Sequence, residues 1–184
     1  MSLQKGMVSS NTNEWATPLK FFEELDAEFH FTLDPCSTDE NCKCAKHYTI
    51  ADDGLAQDWA DEVVFMNPPY GGNTAEWLEK ALLESRKGAT VVCLITSSTD
   101  RTYWHEMCFP YAAQIRFVRG RLKFGDGQNS APFASAVVIF SEARSYTEKI
   151  VYYAESVSEA QRRGERQIAS VSYKHPEKFL SINL

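Results

Sequence analysis

Residues 90–96, TVVCLIT, are an unbroken β-branched and apolar run. Half-exposed strands alternate apolar and polar residues. A continuous run belongs to a strand covered on both faces, and such strands sit in largely parallel sheets flanked by helices. The run therefore steers the chain toward an α/β sandwich before any other element is assigned. A second run, Val63 to Met66, is bounded by Asp61-Glu62 and by Asn67-Pro68-Pro69, and reads as a buried strand with a sharp stop. Helices alternate with these strands. In Pro18 to Glu28, Phe21, Phe22 and Leu25 repeat at helical spacing toward Phe29, with Thr17 as cap and Pro18 at the first helical position. In Thr74 to Lys87, Trp77, Leu78, Ala81 and Leu82 share a face and Gly88 terminates the helix.

The remaining elements follow the same logic. Phe29 to Leu33 is expected as a short strand ending at Asp34-Pro35, and Thr102 to Cys108 as a helix. Gln114 to Val118 and Ser135 to Phe140 are expected strands, with Arg121 to Phe124 as a further candidate. Gly125, Gly127 and Asn129 suit a hairpin connection, so the parallel sheet should finish in an antiparallel edge hairpin. Residues 36–58 are polar, rich in turn formers and carry no clear period. The chain divides into residues 1–12, a disordered or vector-derived leader; residues 13–140, the folded domain; and residues 141–184, a peripheral extension. The segment Glu155 to Arg166 in that extension is expected as a solvated helix.

At 184 residues and 43% hydrophobic content the chain can bury a core without staples. Five cysteines, an odd number, point to reduced thiols and a cytoplasmic setting. The spacing Cys36-x5-Cys42-x-Cys44-x2-His47 lacks the two-to-four-residue knuckle of structural zinc sites, so no metal is expected. No stretch reaches the roughly 18 uninterrupted apolar residues of a membrane span, and no membrane partner is expected.

Formal net charge is −6, which by itself argues against a polyanionic partner, but the charge is not evenly spread. Residues 1–70 carry 4 Lys/Arg against 13 Asp/Glu, whereas residues 114–140 carry 4 against 1. A nucleic acid could be met locally by that basic stretch.

The chemistry is concentrated in Asn67-Pro68-Pro69-Tyr70-Gly71, directly after the strand VVFM. In open α/β sheets ligands bind beyond the carboxyl ends of the strands. Two prolines fix the backbone and remove two donors, leaving a rigid loop of acceptors: the Asn67 side-chain oxygen and the Pro68 carbonyl. Tyr70 adds an aromatic face, and Gly71 and Gly72 permit close approach. Acceptors beside an aromatic platform suit a flat group bearing an NH2, whose nitrogen they would polarise as it develops positive charge.

Asn-Pro-Pro-Tyr after a hydrophobic strand resembles the signature of amino-group methyltransferases. The ordered set Trp15-Ala16-Thr17-Pro18, Leu33-Asp34-Pro35, Asp52-Asp53-Gly54-Leu55, Asn67-Pro68-Pro69-Tyr70-Gly71, Arg119-Gly120-Arg121-Leu122-Lys123-Phe124 and Ala131-Pro132-Phe133-Ala134-Ser135-Ala136 is similar to the phage-type DNA N-6-adenine methyltransferases, over roughly residues 13–140. The resemblance implies a Rossmann-like methyltransferase sandwich. It also implies S-adenosylmethionine as methyl donor and the N6 amine of a flipped-out adenine in double-stranded DNA as acceptor. Asn67, Pro68, Pro69 and Tyr70 would then be catalytic. Thr17, Pro18, Asp34, Pro35 and Asp53 would hold the cofactor, and a bacterial host cytoplasm would be the setting. Arg101, Arg116, Arg119, Arg121 and Lys123 are candidate DNA contacts, because Lys and Arg neutralise phosphates. One departure from many methyltransferases is that the run after Asp34, Pro35 to Asn41, contains no glycine. The same acceptor loop would also serve a protein glutamine amide or an RNA base, and a non-catalytic DNA-binding module is the alternative of another class.

Overall fold

The computed structural model of the chain describes residues 15–125, 130–144, 146 and 149–154. The leader expected at residues 1–12, the helix expected at 155–166, and Gly127 and Asn129 lie outside the described residues. Among the described residues a single seven-stranded sheet runs in the order β2-β1-β3-β4-β6-β5-β7. Its strands are β1 (Leu33–Asp34), β2 (Lys46–His47), β3 (Val63–Met66), β4 (Thr90–Thr96), β5 (Gln114–Arg119), β6 (Ser135–Phe140) and β7 (Ile150–Ala154). Only β6 runs against its neighbours; every other pairing is parallel. This is the expected α/β sandwich of Rossmann-like type.

The two-residue period of the strands sorts the core into two layers. Val91, Cys93 and Ile95 face one cluster with Trp59, Trp77, Leu78 and Trp104. Val92 and Leu94 face the other, with Phe21, Phe22, Leu25 and Phe29 of α1 (Leu19–Phe29). The first layer is completed by α2 (Thr74–Ser85) and by a π-helical segment, Trp104–Cys108, that runs into the single turn α3 (Phe109–Tyr111). β4 is buried from Thr90 through Ile95, as its unbroken apolar run requires.

Several expectations change. α1 extends through Phe29, and the strand after it is only Leu33–Asp34, because His30 ends the helix in a left-handed conformation (φ 57°) with its N–H on the Asp26 carbonyl. Thr17 is not the cap; Pro18 occupies that position and no side chain among the described residues caps the helix. Arg121 to Phe124 is not a strand. It is a stretch outside the sheet, tied by the Ala131 N–H to the Leu122 carbonyl at 2.8 Å, in which Leu122 and Phe124 are buried and Arg121 and Lys123 exposed. The antiparallel pair is not at the edge either. β6 lies between β4 and β5, and β7 from the expected extension pairs parallel with β5, from Ile115↔Ile150 to Arg119↔Ala154. The sheet thus continues past residue 140. Among the described residues no helix is long and apolar enough to cross a membrane.

Candidate functional site

The chain leaves β1 toward β2 on one side and returns to place β3 on the other. At such a switch point the connections diverge and leave a crevice beyond the strand ends. The cleft is found there, open to solvent at its mouth. Asp34, Pro35, Cys36 and Ser37 line it from the end of β1, Asn67, Pro68 and Pro69 from the end of β3, and Trp15, Ala16 and Thr17 from the segment before α1. Asp53, Gly54 and Ile50 form a further wall.

The wall is built by close approach. A Cβ on Gly54 would lie 2.0 Å from the Pro35 carbonyl oxygen, so only glycine allows these two loops to touch. The Gly54 carbonyl accepts the Trp59 indole N–H at 3.0 Å. The backbone N–H of Trp59 in turn donates to the buried Glu84 carboxylate at 2.9 Å. Asp53 precedes the glycine in a left-handed conformation (φ 52°). Beside Pro35, Asp34 is 4% exposed, and its oxygens accept the backbone N–H groups of Lys43 at 3.0 Å and Cys36 at 3.5 Å. Burial raises its carboxyl above the ordinary value, against the downward pull of those two bonds. Asp34 thus fixes a loop that glycines shape in other such folds.

Asn67 carries the most telling geometry. Its Nδ2 donates to the Trp15 carbonyl at 2.6 Å. A carbonyl can only accept, so this contact assigns the amide orientation and aims Oδ1 the other way. Among the described residues Oδ1 is buried and has no partner, and Ser37 Oγ, also on a cleft-lining residue, is likewise buried and unpartnered. Buried polar atoms without partners are uncommon and costly, so two at one cleft mark a place shaped for a polar ligand.

Tyr70 stands apart. It is 8% exposed and does not line the cleft. Its ring packs edge-to-face against Phe133 (4.9 Å, 85°) and Phe124 (6.0 Å, 86°), and both of these also meet Trp15. Its hydroxyl is buried without a partner among the described residues, and burial raises its pKa.

The other candidates fall into three groups. Thr17, Asp34, Pro35, Asp53, Asn67, Pro68 and Pro69 meet at the cleft; Pro18 does not line it. Arg101 follows β4, and Arg119, Arg121 and Lys123 end or follow β5, which runs parallel to β4 through the intervening β6. All four are exposed on the sheet edge that carries Asn67. Arg116 is a correction. It is 8% exposed, its Nη1 and Nη2 each donate to the Glu28 carboxylate at 2.6 Å, and its Nε donates to Gln114. Its guanidinium also lies 5.3 Å from the Phe29 ring centroid. A guanidinium so committed locks α1 to the sheet and is closed to a phosphate.

Trp15, Ser37, Asn41 and Lys43 also line the cleft, which sequence reasoning does not anticipate. Trp15 acts through its main chain, which leaves no compositional signal. Among the described residues no group of three or more His, Cys, Asp or Glu is placed to hold a metal. Cys44 is buried, and His47 pairs with Asp39 at 3.0 Å.

A family model described as DNA N-6-adenine-methyltransferase (Dam) matches residues 5–167. The chain is also 37% identical over 65 residues to an Escherichia coli (strain K12) protein named "Putative methyltransferase YfdM", a match covering 32% of this chain and 71% of that relative. With the match running across nearly the whole sheet and its cleft, the chain belongs to the Dam family of DNA N-6-adenine-methyltransferases and is a methyltransferase.

Proposed function

We propose that the protein transfers a methyl group from S-adenosylmethionine to the exocyclic N6 amine of an adenine flipped out of double-stranded DNA. The observation that carries this reading is Asn67 Oδ1, an aimed, buried and unpartnered acceptor at the end of β3.

The residues present fit the donor. The cleft offers the unpartnered Ser37 Oγ as well as Asn67 Oδ1, and its lining carries Asp34 and Asp53 against one cation, Lys43. That balance tolerates a positively charged ligand. Asp34 and Ser37 on the β1 side, Thr17 before α1, and Asp53 beside Gly54 are the groups that would hold it. When bound, S-adenosylmethionine supplies a methyl group on a sulfonium, an electrophile that needs no metal or covalent enzyme intermediate.

The chain's task is then to make a poor nucleophile react. The lone pair of an adenine amine is delocalised into its ring. Asn67 Oδ1 and the Pro68 carbonyl would each accept one amino hydrogen, turn the lone pair out of the ring plane and stabilise charge developing on nitrogen. Because Asn67 is already held by Trp15, little reorganisation accompanies this step. Stacking of the base on Tyr70 requires Phe124 and Phe133 to give way, since they now pack against that ring. Arg101, Arg119, Arg121 and Lys123 would neutralise flanking phosphates.

A labelled methyl-transfer assay on unmethylated duplex DNA, followed by mapping of the modified base, tests the reading. Label at adenine N6, lost in Asn67→Ala, is the expected result. Label on RNA or on a protein glutamine, with none on DNA, would redirect the substrate assignment.

A further inference from the structure

We infer that Trp15 is the positioning residue for the Asn67 amide. Its carbonyl decides which face of that side chain meets the substrate amine, and its ring holds the carbonyl in place. This rests on the reading of Asn67 as the amine acceptor and extends it to a residue 52 positions away.

An asparagine side chain has two ends of similar size and opposite polarity. Turned one way it accepts from an amine; turned the other it presents an NH2 that repels one. Nothing within Asn67 chooses between them. The choice is made by the Trp15 carbonyl, which takes the Nδ2 hydrogen at 2.6 Å and leaves Oδ1 unpartnered. A wrong rotation would set two carbonyl oxygens face to face.

The Trp15 carbonyl must itself be fixed for this to work, and two independent contacts fix it. The Trp15 ring packs edge-on against Phe124 (5.7 Å, 73°) and Phe133 (5.4 Å, 80°). One residue on, the Ala16 carbonyl accepts the Gly125 N–H at 2.9 Å. The segment is a strap tied to the stretch after β5 at one side and to the catalytic loop at the other. Phe124 and Phe133 also pack on Tyr70, so the same pair of rings supports both Trp15 and Tyr70.

The test has one spectroscopic and one kinetic readout. Side-chain amide NMR identifies the Asn67 NH2 pair by its loss in Asn67→Ala. In Trp15→Ala that pair should shift and exchange faster with solvent, whereas Trp15→Phe, which keeps a ring on Phe124 and Phe133, should hold it near the wild-type position. In the methyl-transfer assay Trp15→Ala should lower kcat about tenfold, the scale of one lost orienting hydrogen bond, with a smaller change in KM for DNA. Trp15→Phe should recover most of the loss. An unmoved amide pair in Trp15→Ala overturns the inference. Wild-type protein that transfers no methyl to DNA instead overturns the proposed substrate, and the NMR comparison still decides the hydrogen bond.

Discussion

Glu84 offers a prediction whose size can be worked from its hydrogen bonds. Its carboxylate is 1% exposed, at the end of α2. It accepts from Lys80 Nζ at 2.8 Å, Lys87 Nζ at 2.8 Å and the Trp59 backbone N–H at 2.9 Å. Burial alone would raise its pKa, but the two ammonium groups and the Trp59 N–H outweigh burial and draw it down to about 2. Glu84→Gln keeps an acceptor for Trp59 and loses the charge. The Lys80 bond, with that side chain 17% exposed, is charge-assisted and worth about 1.5 kcal/mol. The Lys87 bond, half in solvent, is worth about 0.5 kcal/mol. The substitution should therefore cost about 2 kcal/mol at pH 7, which at ~2 kcal/mol per M moves a urea midpoint by about 1 M. The sign of the pH dependence is fixed too. A carboxyl depressed in the folded state stabilises the fold above its unfolded pKa, and that contribution disappears as pH falls from about 4.5 toward 2. Urea titrations of both proteins at pH 7, 5 and 3 should show the gap steady between 7 and 5 and narrowing at 3. A gap that is absent at pH 7, or that stays constant down to pH 3, refutes the reasoning.

Three further outcomes are expected. Gly54→Ala forces a Cβ into the Pro35 carbonyl and should open the cleft wall. Calorimetric affinity for a methyl-donor analogue should drop by at least about tenfold, with a parallel loss of thermal stability. Joint removal of charge at Arg119, Arg121 and Lys123 should flatten the salt dependence of DNA binding, by up to ~0.9 in log–log slope for each phosphate no longer neutralised; an unchanged slope in filter binding makes these a solvated face only. Arg116→Ala should behave differently. It removes the paired hydrogen bonds to the solvent-accessible Glu28 and the guanidinium packing over Phe29, so it should lower stability by about 1–2 kcal/mol in urea unfolding while leaving the salt slope unchanged.

What can be read without the structure follows from where the information lies. TVVCLIT, VVFM and SAVVIF carry their own strand signal because burial on both faces shows in every residue. Lys46–His47 and Leu33–Asp34 are strands by virtue of their neighbours, and two residues cannot display a period. Ile150–Ala154 follows a polar stretch, and its place beside β5 is a long-range pairing that local composition does not encode. At the site, Asn67 and its prolines are legible because acceptor chemistry after a buried strand is a local pattern. Arg116 misleads because a basic residue one strand position from Ile115 looks like its exposed neighbours. Its partner Glu28 lies 88 residues earlier and meets it only in the folded molecule. The tie from Trp15 to Asn67 is invisible in sequence for a different reason: a main-chain carbonyl is common to every residue, and only tertiary structure decides which one meets the Asn67 amide.

The most direct measurement is methyl transfer itself, with wild-type protein and Asn67→Ala compared on unmethylated duplex DNA and donor-analogue affinity measured alongside. The wild type should yield N6-methyladenine, Asn67→Ala should fall by at least ~100-fold, and analogue affinity should stay close to that of the wild type. Undiminished adenine methylation by Asn67→Ala would contradict the role assigned to that side chain.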